Sequence, residues 1–254
     1  MMNGDITEHS DKTTTVGMWK DEYRLKIKNI TFSNDLSNLP SSCTEANLCW
    51  DITDSESIYP VYHYLVQNET DTTKYDAYIV SEEKIYAPKD SSGIFALYGE
   101  ESGSYVSYVE TINFNNNFDT SKVTNMGSLF QGSAALETLD LSNFDTSKVT
   151  NMRAMFGGTS ASGDMHLKEI KVSDKFVTDN VTDMLEMFRL CRYLNFTFNV
   201  TGNKVTKYTN IFNNTATDSN AKIVVNYTAE TETLVDNMLA TVASTSNVVK
   251  GKQI

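Results

Sequence analysis

Apolar and polar residues recur in a repeated order between residues 109 and 227. The nine residues FDTSKVTNM occupy Phe118–Met126 and occur again, unchanged, at Phe144–Met152. Two weaker copies begin at Val181 and Val205. In all four copies, an apolar residue and a phenylalanine follow the Met position, or its equivalent, at the same spacing. Internal periodicity of this kind is the signature of a repeat architecture, so the sequence predicts a stack of similar units.

The VTNM segment of each copy has the apolar spacing of a short amphipathic helix. Val123, Met126 and Phe130 fall on one side of a helical wheel. Asp119 stands just upstream, where an N-cap and a negative charge favour a helix start. We therefore expect one short helix per unit, with its apolar side in the core. The expected core residues are Val123, Met126, Phe130, Val149, Met152, Phe156, Val181, Met184, Phe188 and Phe212.

A second pattern, L-x-x-L-x-L, lies between the predicted helices. One copy is formed by Leu136, Leu139 and Leu141, and alternation in its last positions is typical of a strand with one buried face. A strand plus a short helix in about 26 residues is the leucine-rich-repeat geometry. The sequence thus predicts an α/β solenoid of leucine-rich-repeat type, whose units are stable only when neighbours cover them.

The segments that flank the repeats are predicted to cap the stack. The N-terminal side contains a strand pattern, RLKIKNITF, and two hairpin arms joined by the polar loop QNETDTTK, so a β-rich cap is expected there. The C-terminal side contains an amphipathic helical stripe with Thr231 as its N-cap, followed by a short strand. The predicted boundaries are 1–18 for a disordered tail, 19–108 for the N-terminal cap region, 109–227 for the repeats and 228–254 for the helical C-terminal cap.

With these motifs in view, the chain resembles the BspA-like leucine-rich-repeat surface proteins of host-associated bacteria. The two FDTSKVTNM copies and the strand LETLDLSNF carry the resemblance, and KIKNITF, KYDAYIV and IYAP extend it to roughly residues 22–227. The resemblance implies a cell-surface or secreted protein that adheres to host or neighbouring cells. Members usually have an export signal and an anchor, and this sequence shows neither. The family repeat has no catalytic residues to carry over.

The outward positions of the predicted strands form the candidate binding surface. Stacked strands of repeat proteins present an extended face to partners, although the polar half of an ordinary amphipathic sheet gives the same pattern. The candidate binding residues are Thr111, Asn113, Thr138, Asp140, Glu169, Lys171, Asn195 and Thr197. Because this face lacks the Trp, Tyr and Arg anchors of strong interfaces, the sequence favours a weak site.

Charge and hydropathy exclude several partners. The formal net charge is −12, whereas nucleic acids and anionic lipids attract clusters of Lys and Arg. No apolar run is long enough to span a membrane. We therefore expect no nucleic-acid partner and no direct membrane insertion. The resemblance implies a protein or glycan on host or neighbouring cells as the partner, and we expect the chain to be a monomer.

The cysteines leave the redox compartment open. Cys43 and Cys49 are close enough in sequence to form a small disulfide loop, which would indicate an oxidising compartment. Two free thiols in a loop fit the same spacing equally well. Cys191 lies between Phe188 and Phe196 and is expected to pack as a small hydrophobic residue.

The sequence contains no recognisable catalytic, cofactor or metal-binding motif. The three histidines, His9, His63 and His166, stand apart, and no zinc or phosphate-loop motif is present. Asp119 and Asp145 recur in register, but one carboxylate per copy is few for calcium, so they are interpreted as helix caps. No catalytic residue, cofactor or metal is expected.

Three hypotheses for function follow from these observations. The leading one is a non-catalytic recognition or adhesion module at the cell surface. The second is a passive spacer or display domain within a larger surface protein. The third is an enzyme active on surface polysaccharide that uses carboxylates of the N-terminal β region. Loss of catalysis on single Asp→Asn or Glu→Gln changes would identify the third.

Overall fold

A computed structural model describes residues 21–55, 57–96, 98–99, 104–105, 107–159 and 162–254. The predicted disordered tail, residues 1–18, lies outside the described residues. Strands far outnumber helices in the part of the chain that is described. In chain order the elements are α1 (Asp21–Arg24), β1 (Ile27–Ser33), a 3-10 turn (Glu45–Asn47), β2 (Cys49–Asp51), β3 (Tyr62–Gln67), β4 (Tyr75–Val80), β5 (Ile85–Tyr86), β6 (Tyr98–Gly99), β7 (Ser104–Tyr105), β8 (Thr111–Asn113), β9 (Phe118–Asp119), β10 (Thr138–Leu141), β11 (Glu169–Val172), β12 (Asn195–Val200), β13 (Lys222–Tyr227), α2 (Glu232–Leu239) and β14 (Val248–Gln253).

The N-terminal part forms a mixed five-stranded sheet in the order β2-β3-β4-β1-β8. Strands β3 and β4 are antiparallel and form the predicted hairpin around the loop QNETDTTK. Strand β1 runs parallel to β4 on one side and to β8 on the other, with Ile30 opposite Ile112 in β8. Ile27, Ile30 and Phe32 are fully buried. This sheet therefore joins the N-terminal hairpin to the first strand of the repeat region.

The C-terminal part forms a parallel five-stranded sheet in the sequential order β10-β11-β12-β13-β14. Neighbouring strands pair in register, so that Leu139 faces Ile170 and Phe196 faces Ile223. Buried and exposed residues alternate along β10 and β12. The apolar positions of the L-x-L pattern thus point into the core and the polar positions point to solvent.

The helix expected in each copy does not form in residues 107–159 and 162–227, where the VTNM segments are successions of turns. Their backbone amides donate to neighbouring copies. The Met126 amide donates to Asn151 O (2.9 Å) in the next copy, and the Thr150 amide donates to Thr124 O (2.8 Å) in the preceding one. In an α-helix the same amides would donate to carbonyls four residues back. The prediction of an α/β solenoid with helical units is therefore wrong, and the fold is β-rich.

A recurring left-handed residue explains why the segment is not helical. Each copy has a residue of positive φ two positions after its Met or the equivalent position. These residues are Ser128 (φ 57°), Ala154 (49°), Glu186 (59°) and Asn210 (57°). A left-handed residue cannot continue a right-handed helix, so the chain turns there. The apolar spacing that resembled a helical stripe follows these turns instead.

Replacing Ser128 with glycine is expected to raise the free energy of unfolding by about 0.5–1 kcal/mol, because glycine adopts positive φ without a steric penalty. Gly93 already has this conformation (φ 67°), and its amide donates to Gly127 just as the Ser128 amide donates to Arg153. Urea unfolding followed by circular dichroism measures the difference. Ser128→Ala, which keeps the Cβ atom, should change little. A loss of stability in Ser128→Gly would instead indicate a helix at this position.

The phenylalanine that ends each VTNM segment stacks on its counterparts in the neighbouring copies. Ring centroids lie 5.9 Å apart for Phe130 and Phe156, 5.5 Å for Phe156 and Phe188, and 5.8 Å for Phe188 and Phe212, with the ring planes nearly parallel. Phe95 extends the stack before the first copy. We call these five rings the phenylalanine column. All ten residues expected in the core are at most 2% exposed.

Buried threonine hydroxyls link successive copies. The Thr120 hydroxyl donates to Asp145 O (3.1 Å) and accepts from Asp145 N–H (2.8 Å). The Thr146 hydroxyl makes the same pair of bonds with Val177, each 2.7 Å long. Both threonine residues are 1% exposed. Each hydroxyl therefore satisfies one backbone N–H and one backbone C=O of the following copy. Without the hydroxyl, both backbone groups would lose this hydrogen-bond partner.

The C-terminal end of the fold also differs from the prediction. Helix α2 has eight residues and buries Val235 and Met238, but strands β13 and β14 form the outer part of the sheet. Thr231 makes no side-chain capping bond to the helix; its hydroxyl donates to Val200 O at 2.8 Å. The expected helical cap is therefore corrected to a mainly β end that carries one short helix.

Candidate binding surface

The outward residues of strands β8, β10, β11 and β12 form what we call the strand face. Its members are the eight predicted binding residues, Thr111, Asn113, Thr138, Asp140, Glu169, Lys171, Asn195 and Thr197, and all eight are exposed. Their side chains alternate with buried apolar residues of the same strands. The structure therefore places every one of them on the solvent side of a sheet.

The strand face is divided between the two large sheets. Thr138 lies opposite Glu169, which lies opposite Asn195, so that these residues form a row across the C-terminal sheet. Thr111 and Asn113 instead pair with β1 of the N-terminal sheet. Strands β8 and β10 contact each other, which brings the two parts of the face side by side.

The strand face carries charges of both signs. Asp140 lies opposite Lys171. The hydroxyl and the amide of Ser142 hold the pKa of the Asp140 carboxyl below its ordinary value, with a smaller contribution from Lys171. Beside the face, Lys168 Nζ lies 2.7 Å from Glu137 Oε1, and both side chains are more than half exposed. Water and salt screen exposed pairs of this kind, so they contribute little to stability, and both charges remain available to a partner.

A hydrogen-bonded chain extends the strand face into the N-terminal sheet. The Thr111 hydroxyl donates to Asn29 Oδ1 (2.7 Å), and Asn29 Nδ2 donates to Asp76 Oδ1 (2.7 Å). Asn68 Nδ2 also donates to the Asp76 carboxylate. Sequence reasoning missed this extension, because it depends on the parallel pairing of β1 with β4 and β8, which no local pattern specifies.

A second surface feature is a cleft of about 390 Å³ between the N-terminal sheet and the first repeat. We call it the tyrosine cleft. Ile58, Tyr59 and Tyr86 present apolar surface there and are 89%, 43% and 36% exposed. The cleft is lined by residues that include Ser57, Ile58, Tyr59, Glu83, Tyr86 and Lys122. The Lys122 ammonium lies 4.7 Å from the centre of the Tyr86 ring.

A polar groove of about 480 Å³ adjoins the tyrosine cleft, and Lys84 lines both. We call it the turn groove, because Asp119 and Asp145, which line it, close turns. Asp145 Oδ1 accepts from the amide (3.0 Å) and the hydroxyl (2.6 Å) of Ser147. The Ser147 hydroxyl bond is the main reason that the pKa of Asp145 is lowered. The interpretation of these carboxylates as helix caps is therefore wrong.

The histidines are separate from one another in the described residues. His63 is buried and packs against Trp50, with ring centroids 5.4 Å apart. His166 contacts Tyr193, and His9 lies outside the described residues. Among the residues that the structure describes, no group of three or more His, Cys, Asp or Glu side chains is arranged to hold a metal ion.

The cysteines fall into two environments. Cys43 and Cys49 form a disulfide that closes the loop before β2. Cys191 is fully buried, donates from its thiol to Phe156 O (3.3 Å), and has its pKa raised by burial. Cys191 therefore packs in the core as expected. The sequence allowed either a disulfide or two free thiols at Cys43 and Cys49, and the structure has the disulfide.

The fold and these surfaces define a β-rich repeat protein, and comparison with known proteins relates part of it to a family. Residues 104–227, from β7 to the end of β13, match the family described as "Mycoplasma protein of unknown function, DUF285". No curated protein and no solved structure matches the chain. Within the described residues, no helix has the length and apolar character required to cross a bilayer.

Proposed function

We propose that the protein is a non-catalytic recognition or adhesion module, displayed outside the cell, that contacts a macromolecule on host or neighbouring cells. The observation that carries the proposal is the difference between the inward and outward positions of the parallel strands. Inward positions repeat as apolar residues from copy to copy, whereas outward positions differ, as in Thr138, Glu169 and Asn195. A constant core that presents a varied, exposed polar row suits a scaffold whose surface changes independently of its stability.

Two further observations support an extracellular location and a family origin. The disulfide between Cys43 and Cys49 favours an oxidising compartment, because such bonds rarely persist in the cytosol. The match of residues 104–227 covers the segment that contains the FDTSKVTNM copies. On that basis we include membership of the BspA-like leucine-rich-repeat surface proteins in the proposal.

The experiment uses beads coated with the full chain and counts those retained on epithelial monolayers and on neighbouring bacteria. We expect retention above that of albumin-coated beads. The triple substitution Asp140→Ala, Glu169→Ala, Lys171→Ala should lower retention several-fold, because it removes the charged members of the strand face. Thermal unfolding should show that the variant remains folded.

A matched triple substitution controls for the loss of charge. The control variant removes the same numbers of acidic and basic side chains from exposed positions outside the strand face, by Asp179→Ala, Glu230→Ala and Lys148→Ala. This variant should retain normal binding. Wild-type beads that bind no better than albumin would contradict the recognition role and favour a passive spacer. Equal losses in the two triples would show that net charge, rather than the strand face, controls retention.

A further inference from the structure

The tyrosine cleft is the best candidate for a site of defined ligand chemistry. Exposed aromatic rings at the rim of a concave, partly polar cavity are the features of a small-ligand site. Its volume of about 390 Å³ falls within the range of about 300–1,000 Å³ that is usual for such sites. The strand face, in contrast, contains no aromatic residue among its eight members.

We propose that the tyrosine cleft binds a neutral oligosaccharide. One face of a sugar ring exposes C–H groups that carry partial positive charge, and the face of an aromatic ring is electronegative. Tyr59 and Tyr86 supply such rings, with Ile58 beside them. The inference rests on the proposed recognition role, but it assigns the ligand to a different surface from the strand face.

The polar lining of the cleft suits sugar hydroxyls, which both donate and accept hydrogen bonds. Glu83 offers a carboxylate acceptor, and the ammonium of Lys122 offers donors. The Ser57 hydroxyl donates to Tyr59 O (2.7 Å) and so keeps lone pairs for a ligand. Acidic and basic side chains both line the cleft, and the chain as a whole carries a net charge of −12. This balance favours a neutral ligand over a polyanion.

The turn groove indicates a chain of sugars rather than a single ring. It continues from the cleft at Lys84 and is lined by amide, hydroxyl and carboxylate side chains, among them Asn116, Asn143 and Asp145. A proline-rich peptide would need further aromatic-lined slots along its length. Among the described residues that line the turn groove, Phe118 is the one aromatic, and it is 2% exposed. The polar groove therefore fits the hydroxyls of successive sugars better.

The test measures binding of cellohexaose, chitohexaose, maltohexaose and a proline decapeptide to the full chain by isothermal titration calorimetry. We expect at least one hexasaccharide to bind. The double substitution Tyr59→Ala, Tyr86→Ala should weaken that binding by at least about tenfold, which is 1.4 kcal/mol. Both tyrosines are exposed, so thermal unfolding of the variant should match that of the wild type.

Tyr108→Ala is the matched control. Tyr108 is 50% exposed and carries a lysine ammonium, Lys74 Nζ, 5.0 Å from its ring centre, yet it does not line the tyrosine cleft. It should leave hexasaccharide binding unchanged. Binding of the decapeptide alone, binding of none of these probes, or full binding by the double variant would each overturn the proposal. Cell retention that still depends on the strand face in those cases would show that the recognition role stands without the glycan site.

Discussion

Replacing Phe156 with alanine is expected to lower the free energy of unfolding by about 3–5 kcal/mol. Phe156 is fully buried, and its ring lies nearly parallel to those of Phe130 and Phe188. Removing the ring takes away apolar surface and leaves a cavity in the middle of the phenylalanine column. Because close-packed interiors relax only in part around a cavity, both effects destabilise the fold.

Urea unfolding of the purified chain measures this loss, with Phe156→Leu as the conservative comparison. Leucine fills most of the space, so its cost should stay below about 1.5 kcal/mol. Phe212→Ala should cost less than Phe156→Ala, because in the described stack Phe212 lies parallel to one ring, Phe188. A change of less than about 1 kcal/mol in Phe156→Ala would contradict the assignment of the column as the centre of the core.

The second large effect is expected at a hydrogen-bonded position. Thr146→Val should lower the free energy of unfolding by about 1–3 kcal/mol, because it leaves the amide and carbonyl of Val177 without their hydroxyl partner. Valine matches threonine closely in shape, so packing changes little. The effect therefore reports the hydroxyl that joins this copy to the next one.

Two further substitutions separate this effect from a general intolerance of change. Thr146→Ser keeps the hydroxyl and should recover most of the stability. Thr150→Val removes an exposed hydroxyl that donates to Thr124 O (3.1 Å), where water can replace it, so its cost should be small. Equal losses at Thr146 and Thr150 in the same urea titration would refute a special role for the buried hydroxyls.

The hydrophobic pattern predicted burial better than it predicted conformation. Val123, Met126 and Phe130 are buried as expected, because recurrence at a fixed register identifies core positions whatever backbone connects them. The same spacing fits both a helical stripe and a succession of turns. The deciding feature is positive φ at Ser128 and its equivalents. Four different residue types occupy that position, so the residue type does not predict the positive φ.

The candidate sites were predictable only where they follow a local repeat. The strand face could be located, because alternation along each strand fixes which side chains point outward. The tyrosine cleft could not, since Tyr59, Tyr86 and Lys122 come from distant parts of the sequence and meet only through the tertiary fold. The local sequence offers one indication of the cleft, which is the pair Ile58 and Tyr59 beside Pro60 in a loop without periodicity.

The repeated hydrogen-bond pattern between copies has a consequence for how such a chain changes length during evolution. Met126 donates to Asn151, Met152 to Asp183 and Met184 to Lys207, so each unit presents the same acceptors that its own donors require. A gene duplication that inserts an entire unit would preserve these links on both sides, whereas a partial insertion would shift the register of turns and core residues. The identical FDTSKVTNM segments are what a recent event of the first kind would leave behind.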